Sequence, residues 1–223
     1  MEKKQICCSE CGIRSCINCD VNHESGLPGY CLTNKFEEEN KEAIKLYHEE
    51  ENMKIIRGFL DIDGSDGIHG GQKTRVEMML SLFENIGAKK IGIATCYALL
   101  NEARVLAKIL RAHGFECYGV NCKVGTLDKE ADLDVPADHD PYIGESSCNP
   151  ILQAKILNSY HTDYNVILGL CMGHDALFTK YSEAPVSTLV VKDFALGHNS
   201  VVPLHMADNY YKGLVQPKKE GEN

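Results

Sequence analysis

The sequence predicts an α/β fold: a small doubly wound, flavodoxin- or Rossmann-like domain with a mostly parallel sheet, preceded by a cysteine-rich metal-binding module. From about residue 74, short β-rich runs alternate with helical segments, as in βαβ units whose parallel sheet is covered on both faces. Six of the 11 cysteines lie in the first 31 of 223 residues, among too few apolar residues for a packed core. We therefore expect metal–thiolate bonds, and not burial, to order that segment.

The alternating pattern predicts four strands and the helices between them. The strands are KIGIAT (90–95), ECYGVN (116–121), NVILGL (165–170) and STLVVK (187–192). The helices cover 75–87, 101–114, 150–160 and 174–181, with a short helix after Pro203. Capping signals support two starts, because Thr74 with Glu77 forms a capping box and Asn149 precedes a Pro150 at the first helical position. A fifth strand could come from the long segment 123–147.

This pattern divides the chain into four parts. We predict a cysteine-rich metal or iron–sulfur module (1–35), a helical connector (36–73), the α/β domain (74–216) and a frayed tail (217–223). Residues 36–60 of the connector are predicted to form one charged helix. Segment 123–147 is long for a connection in a compact domain, and such loops are usually lids or disordered. Because it leaves Cys122 and returns at Cys148, a lid is one interpretation. Its Asp138, His139 and Asp140 could supply hard ligands, and the alternative is a solvated acidic loop.

The composition narrows the possible partners. A formal net charge of −9 argues against nucleic acid, and no run approaches the roughly 20 apolar residues that span a bilayer. The start of the chain lacks a signal-peptide core, so we expect a cytoplasmic protein with reduced thiols that act as ligands or catalysts. We therefore expect a small-molecule substrate or an electron-transfer partner, and the sequence does not indicate an oligomeric state.

The amino-terminal thiols follow a metal-ligand spacing. The candidate ligands are Cys8, Cys11, Cys16 and Cys31. Four thiolates suit either structural zinc or a [4Fe–4S] cluster, and spacing alone does not separate the two. Cys7 and Cys19 add two further thiols, so the identity of all four ligands stays open. The alternative is a segment of unliganded thiols.

A second group of cysteines follows the ends of the predicted strands. Cys96, Cys122 and Cys171 each come after a strand, and Cys148 precedes a helix start. Because the carboxyl ends of parallel strands line one edge of a sheet, we expect these thiols to share one crevice. Bound there, an iron–sulfur cluster with an open iron would make the protein a redox or cluster-dependent enzyme, with His174 beside the thiols. The alternative is that these are ordinary buried cysteines.

The segment Gly169–His174 has a competing interpretation. Its G-x-C-x-G pattern between strand and helix is typical of a nucleophile elbow with cysteine in place of serine, and the glycines permit the sharp turn. It resembles the GxCxGH segment of class I glutamine amidotransferases, which implies a Cys171 nucleophile in a hydrolase or amidotransferase. That family's downstream His-Pro-Glu is missing. The candidate bases are His198 and His205, with Asp175 or Asp193 as orienting carboxylates. For the whole protein, a third possibility beside the cluster-dependent enzyme and the hydrolase is a zinc-stabilised binding module without catalysis.

Taken together, the motifs resemble those of the bacterial and archaeal DUF1847 family, an uncharacterised family whose members are often described as predicted metal-binding proteins. The resemblance rests on C-x2-C-x4-C near the start, TRxE (74–77), KIGIATC (90–96), NEARVLAKIL, CKVG (122–125), CNPILQAKILN, NVILGLCMGHDALFTKYSEAPVSTLVVKD and LGHN. It implies an amino-terminal four-cysteine metal site, which Cys8, Cys11, Cys16 and Cys31 match. The additional Cys7 and Cys19 depart from the family's pattern.

Overall fold

The computed structural model describes residues 8–13, 16, 26–62, 73–136 and 145–216. The chain divides into two compact units, residues 1–60 and 61–223. Within the described ranges, no helix is long and apolar enough to cross a membrane. The predictions that concern Cys7, Cys19, the residues 138–140 and the tail 217–223 lie outside the described residues.

The first unit is built from short helices. They are a 3₁₀ turn at Cys8–Glu10 and the helices α1 (Leu32–Lys35), α2 (Glu37–Tyr47) and α3 (Glu50–Leu60). The prediction of one helix over 36–60 was wrong, because local hydrogen bonds to two carbonyls end α2. His48 Nδ1 bonds to the Ile44 carbonyl at 2.8 Å, and Asn52 Nδ2 donates to the Leu46 carbonyl at 2.9 Å. Among the described residues of this unit only Gly58 is buried, so they form no packed core.

The second unit carries the α/β pattern. Its elements are α4 (Arg75–Asn85), β1 (Lys90–Thr95), a 3₁₀ turn (Tyr97–Leu99), α5 (Leu100–Ala112), β2 (Glu116–Asn121), β3 (Leu127–Asp128), β4 (Ser146–Ser147), α6 (Pro150–Ser159), β5 (Tyr164–Leu168), α7 (Met172–Tyr181), β6 (Val186–Val190), α8 (Val202–His205) and a 3₁₀ turn (Lys212–Val215). β5 and β6 end two residues before the predicted 170 and 192. In β5 the cause is Gly169, whose φ of +70° turns the chain out of the strand.

The main sheet has the order β2-β1-β5-β6, and every neighbouring pair is parallel. The order reverses between β1 and β5, which is the switch point of a doubly wound sheet and the usual location of its ligand crevice. The predicted α/β fold with a mostly parallel sheet is confirmed. In the described part of the long segment, β3 and β4 pair with each other, antiparallel, and neither joins the main sheet as a fifth strand.

Two apolar layers hold helices to the opposite faces of the sheet. One layer packs α4 and α5 through Phe83 and Leu110 against Ile91, Ile93 and other strand residues. The other packs α6 and α7 through Leu157 and Phe178. Because side chains alternate along each strand, both faces of β1 and β5 are covered and these two central strands are almost entirely buried.

The predicted helix caps form, and the buried side-chain amide of Gln153 holds α6 at the edge of the sheet. Thr74 and Glu77 make both halves of the capping box, and Asn149 Oδ1 accepts the Leu152 N–H at 2.9 Å. Gln153 on α6 is fully buried, and its Nε2 donates to the carbonyls of Thr95 at 3.2 Å and Val120 at 2.8 Å. These bonds hold α6 against the carboxyl ends of β1 and β2, where two of the predicted site cysteines follow.

Candidate functional site

The backbone at the carboxyl edge of the sheet brings together the segments that carry the four predicted cysteines. The Cys122 N–H donates to the Thr95 carbonyl at 2.8 Å, and the Cys122 carbonyl accepts the Asn149 N–H at 2.8 Å. The Cys96 N–H donates to the Leu168 carbonyl at 3.4 Å, which ties the end of β1 to the end of β5. Cys171 follows β5 and is the N-cap of α7. Their position here follows from hydrogen bonds of the parallel sheet.

The thiols themselves are in contact. Cys122 Sγ lies 3.5 Å from Cys148 Sγ and accepts the Tyr97 N–H at 3.4 Å. Cys96 also lies within hydrogen-bonding contact of Cys122. Cys96 and Cys122 are 3% and 1% exposed, whereas Cys148 and Cys171 are half-buried. The cluster therefore has two thiols at its base and two that solvent can reach.

A lysine that the sequence analysis missed completes this group. Lys192 follows β6, and its Nζ lies 2.7 Å from Cys171 Sγ and 3.6 Å from Cys96 Sγ. With Lys192 included, each of the four strands of the sheet is followed by one side chain of the cluster. A signal was present in the sequence, because Lys192 closes the run STLVVK at the same end of the predicted sheet where the cysteines follow their runs. A single lysine at a strand end does not by itself indicate a site, however.

The contacts shift the acidity of these groups in different directions. Contact with Cys122 lowers the pKa of Cys148 to about 7 against the effect of burial, and the charge of Lys123 helps. The same contact raises the pKa of Cys122. Contact with Cys122, together with burial, raises the pKa of Cys96. Burial disfavours the charge of Lys192, but its hydrogen bond to Cys171 and the nearby Cys96 outweigh burial and raise the pKa of Lys192.

Two polar side chains in the first turn of α7 adjoin the thiols. Burial, and then the charge of Lys192, lowers the pKa of His174, while burial raises the pKa of Asp175. His174 Nδ1 and Asp175 Oδ1 are buried atoms without a hydrogen-bond partner within the described part of the chain. Buried polar atoms are normally paired, so this corner of the site has unused capacity to bind a polar group.

The turn before Cys171 has the geometry of an elbow, and one glycine makes it. A Cβ on Gly169 would overlap the Leu99 side chain, in addition to the positive φ noted above. Gly173 is different, since it lies in the first turn of α7 and has open space around it. The prediction that both glycines permit the turn was therefore wrong for Gly173. The N–H groups of His174 and Asp175 donate to the Cys171 carbonyl at 2.8 and 2.9 Å, which starts the helix at the thiol.

The two histidines predicted as candidate bases lie elsewhere. His198 Nδ1 accepts the Asp193 N–H at 3.0 Å, and its ring packs on Phe194. His205 is exposed at the end of α8. The described residues include no hydrogen bond from Cys171 to either histidine, and Lys192 occupies the position at the thiol that the base was expected to take.

The amino-terminal thiols have looser surroundings. Cys8 and Cys16 are exposed, and Cys11 Sγ lies 3.9 Å from Tyr30 Oη. Hydrogen bonds from Thr33 lower the pKa of Cys31, while Cys11 is near enough to oppose this effect. The structure thus brings Cys11 and Cys31 into the same neighbourhood.

Metal coordination is not visible in either group. Among the residues that the structure describes, no set of three or more His, Cys, Asp or Glu side chains is arranged to hold a metal ion. At the sheet edge, Cys171 and Cys96 both face the Lys192 ammonium, while Cys122 contacts Cys148. The two metal-site predictions therefore remain predictions.

Comparison with known proteins identifies relatives of the chain. Residues 31–189 match the family described as protein of unknown function (DUF1847), a range that includes Cys31 and all four edge cysteines. The chain is 43% identical over 178 residues to the uncharacterized protein MJ0455 of Methanocaldococcus jannaschii, which covers 80% of this chain and 89% of that relative. No solved structure matches the chain. The resemblance found in the motifs is confirmed, and the chain belongs to the DUF1847 family.

Proposed function

We propose that this protein is a thiol-dependent enzyme that acts on a small molecule at the carboxyl edge of its sheet, with Cys171 as the nucleophile. The observation that carries the proposal is the 2.7 Å contact between Lys192 Nζ and Cys171 Sγ at the start of α7. A lysine ammonium and a helix amino terminus both stabilise a thiolate, which is the nucleophilic form of cysteine. A packing cysteine needs neither.

These groups support hydrolysis or transfer of an acyl group. The Cys171 thiolate attacks an electrophilic carbonyl carbon, and the bond from that carbon to the leaving group breaks as the leaving group takes a proton from Lys192. A thioester on Cys171 and a neutral Lys192 amine remain. Lys192 then takes a proton from water, and the resulting hydroxide attacks the thioester carbon. The carboxylic acid leaves, and Cys171 returns to the thiolate.

The surroundings of Cys171 suit this chemistry. The N–H groups of Met172 and Gly173 precede those that donate to the Cys171 carbonyl, and we propose them as donors to the oxyanion that forms. The unpartnered His174 Nδ1 and Asp175 Oδ1 offer polar contacts for a substrate. Reduced thiols of this kind are maintained in the cytoplasm, where we place the enzyme.

Alkylation kinetics test the assignment of Cys171. The reduced, chelator-treated protein is treated with iodoacetamide at pH 7, and each cysteine is quantified by peptide mass spectrometry. Cys171 should react faster than it does in the denatured chain. Lys192→Met should slow its reaction about 10- to 100-fold, because hydrogen bonds to charged groups contribute about 1.5–3 kcal/mol.

Two variants control this experiment. Lys192→Arg keeps the positive charge and should retain most of the rate. Lys180→Met removes a lysine near the end of α7, where its ammonium lies over the Tyr181 ring. This variant should leave the rate of Cys171 alkylation unchanged. A Cys171 that reacts no faster than in the denatured chain, and that ignores Lys192→Met, would exclude the nucleophile.

A second candidate function is a redox or cluster-dependent enzyme, in which the four edge thiols would bind an iron–sulfur cluster that exchanges electrons with a partner. Zinc at the same thiols would be redox-inactive and would need no electron-transfer partner. The number of clustered thiols favours it, since a nucleophile needs one and a metal centre about four. The sulfur atoms of Cys122 and Cys148 are 3.5 Å apart. Two thiolates bound to one tetrahedral zinc are expected to be about 3.8 Å apart, which is a similar distance. Lys192 would have to leave its position between Cys171 and Cys96.

Metal analysis after anaerobic purification tests this second candidate. Iron, sulfide and zinc are measured in the wild type, in Cys122→Ser and in Cys117→Ser, where Cys117 is a thiol outside the cluster. If the edge thiols bind a metal, Cys122→Ser should lose that metal and Cys117→Ser should retain it. The amino-terminal set Cys8, Cys11, Cys16 and Cys31 is the second proposed centre, and Cys11→Ser should remove its metal independently. A protein that retains the same metal content in all variants would exclude both centres.

A further inference from the structure

Cys122 and Cys148 form a close pair of thiols that the proposed Cys171 nucleophile does not require. Their sulfur atoms are 3.5 Å apart, in direct contact. Disulfide formation shortens such a separation to about 2.05 Å, so the sulfurs must approach by roughly 1.5 Å. We expect rotation of the two side chains between rotamers to supply this movement.

The backbone holds this pair in place. The Cys122 N–H donates to Thr95 and the Cys122 carbonyl accepts the N–H of Asn149, the residue next to Cys148. Lys123 Nζ donates to the Ser146 carbonyl at 2.8 Å, which provides a second link between the segment that carries Cys122 and the segment that carries Cys148. The two thiols are therefore aligned by the fold before any oxidant arrives.

We propose that Cys122 and Cys148 are a redox-active dithiol that undergoes exchange with a low-molecular-weight disulfide. This activity goes beyond the proposed Cys171 chemistry and stands on the geometry of the pair. Exposure sets the order of the steps, because Cys148 is half-buried and reachable whereas Cys122 is 1% exposed. Cys148 therefore meets the incoming disulfide and Cys122 resolves the intermediate.

The exchange balances in two displacements. The Cys148 thiolate attacks one sulfur of the disulfide RSSR, the RS–SR bond breaks, and one RS⁻ leaves with the pair of bonding electrons. The Cys122 thiolate then attacks Cys148 Sγ in the mixed disulfide, which releases the second RS⁻. The two protons lost by the cysteines end on the two RSH products. The protein pair is oxidised by two electrons and the disulfide is reduced by two.

Oxidised glutathione serves as the probe. The reduced, chelator-treated full chain is incubated with it anaerobically, quenched with N-ethylmaleimide and digested without reductant. We expect a peptide pair linked through Cys122 and Cys148 in the wild type. Cys122→Ser should instead accumulate glutathione on Cys148, and Cys148→Ser should leave Cys122 unmodified. Cys117→Ser, which changes a thiol outside the pair, should form the disulfide at the wild-type rate.

The experiment separates this inference from the proposed function. In Cys171→Ser the nucleophile is absent, and the Cys122–Cys148 disulfide should still form at a rate within about twofold of wild type. A disulfide linking Cys96 to Cys122, or a lack of mixed disulfide on Cys148 in Cys122→Ser, would overturn the dithiol. Formation of the expected disulfide alongside an unreactive Cys171 would support the dithiol and count against the proposed nucleophile. Circular dichroism of each variant establishes that it folds.

Discussion

The thiols near the amino terminus and those at the sheet edge have the same chemistry but opposite surroundings. Cys8 and Cys16 are exposed, and the described residues of their unit contain one buried residue, Gly58. Cys96 and Cys122 are almost wholly buried and follow two adjacent strands. A thiol at the edge is positioned by the same hydrogen bonds that build the sheet, whereas Cys8 and Cys16 have no packed core beneath them in the described part of their unit.

This difference indicates what a cluster of cysteines implies about function. In the first unit, the scarcity of buried side chains leaves coordination as the source of order that we propose, because structural metal sites contribute folding energy directly. In the second unit, apolar layers on both faces of the sheet hold the strands that the edge thiols follow. We therefore propose that these thiols serve chemistry and not folding, with Lys192 and His174 as their polar neighbours.

Thiol accessibility should separate the two groups by the largest factor. In reduced, chelator-treated protein, Cys96 and Cys122 should react with a maleimide at least about 100-fold more slowly than Cys8 and Cys16, since a buried thiol reacts only when its region opens. Quenched time courses with peptide mass spectrometry give the rates. All four should react alike in denaturant. If Cys96 labels as quickly as Cys8 in the native protein, Cys96 is not buried at the base of the cluster.

Gly169, the glycine of the elbow, should contribute more to stability than Gly87, a glycine with a similar φ but open surroundings. Gly169→Ala should lower the free energy of unfolding by about 2–4 kcal/mol, because strain at positive φ adds to the overlap with Leu99. Gly87→Ala is the matched control, with a φ of +64° and open space, and should cost only about 1 kcal/mol. Urea unfolding measures both. Equal losses would show that the Leu99 contact is unimportant.

The pH dependence of alkylation should distinguish two half-buried thiols. Cys148 alkylation should rise with pH through a midpoint near 7, because the thiolate is the reactive form and the pKa of Cys148 is lowered to about 7. Burial raises the pKa of Cys117 to about 11, so its rate should still be increasing at pH 9. Cys122→Ala should move the Cys148 midpoint upward, since it removes the contact that lowers the pKa. If the Cys148 midpoint does not move, the lowered pKa of Cys148 is due to the charge of Lys123 and not to contact with Cys122.

The cap beside Cys148 should give the smallest effect. Asn149→Ala removes the acceptor for the Leu152 N–H and should lower the free energy of unfolding by about 1 kcal/mol. Asn149→Ser keeps a capping oxygen and should cost much less than that. Urea unfolding of the two variants provides the test. No loss in Asn149→Ala would mean that the side-chain cap contributes nothing to the stability of this end of α6.

Local sequence signals predicted the fold of the second unit well. The capping box at Thr74, the Asn149–Pro150 start and the four β-rich runs are each encoded within a few residues, and each forms. The strand-end rule likewise placed Cys96, Cys122 and Cys171 at one edge. The single helix over 36–60 failed because the hydrogen bonds of His48 and Asn52 are local side-chain choices that charge patterning does not reveal.

The amino-acid sequence by itself determined the alternation of strands and helices, the caps and the edge at which the cysteines gather, because these follow from periodicity and backbone chemistry over short ranges. Only the tertiary structure decided which groups touch: Lys192 against Cys171 across 21 positions, and Cys122 against Cys148 across 26. The physical reason is that a parallel sheet aligns strand ends that are far apart along the chain. Contacts of a few ångströms depend on that alignment and on side-chain rotamers, and spacing in the sequence encodes neither.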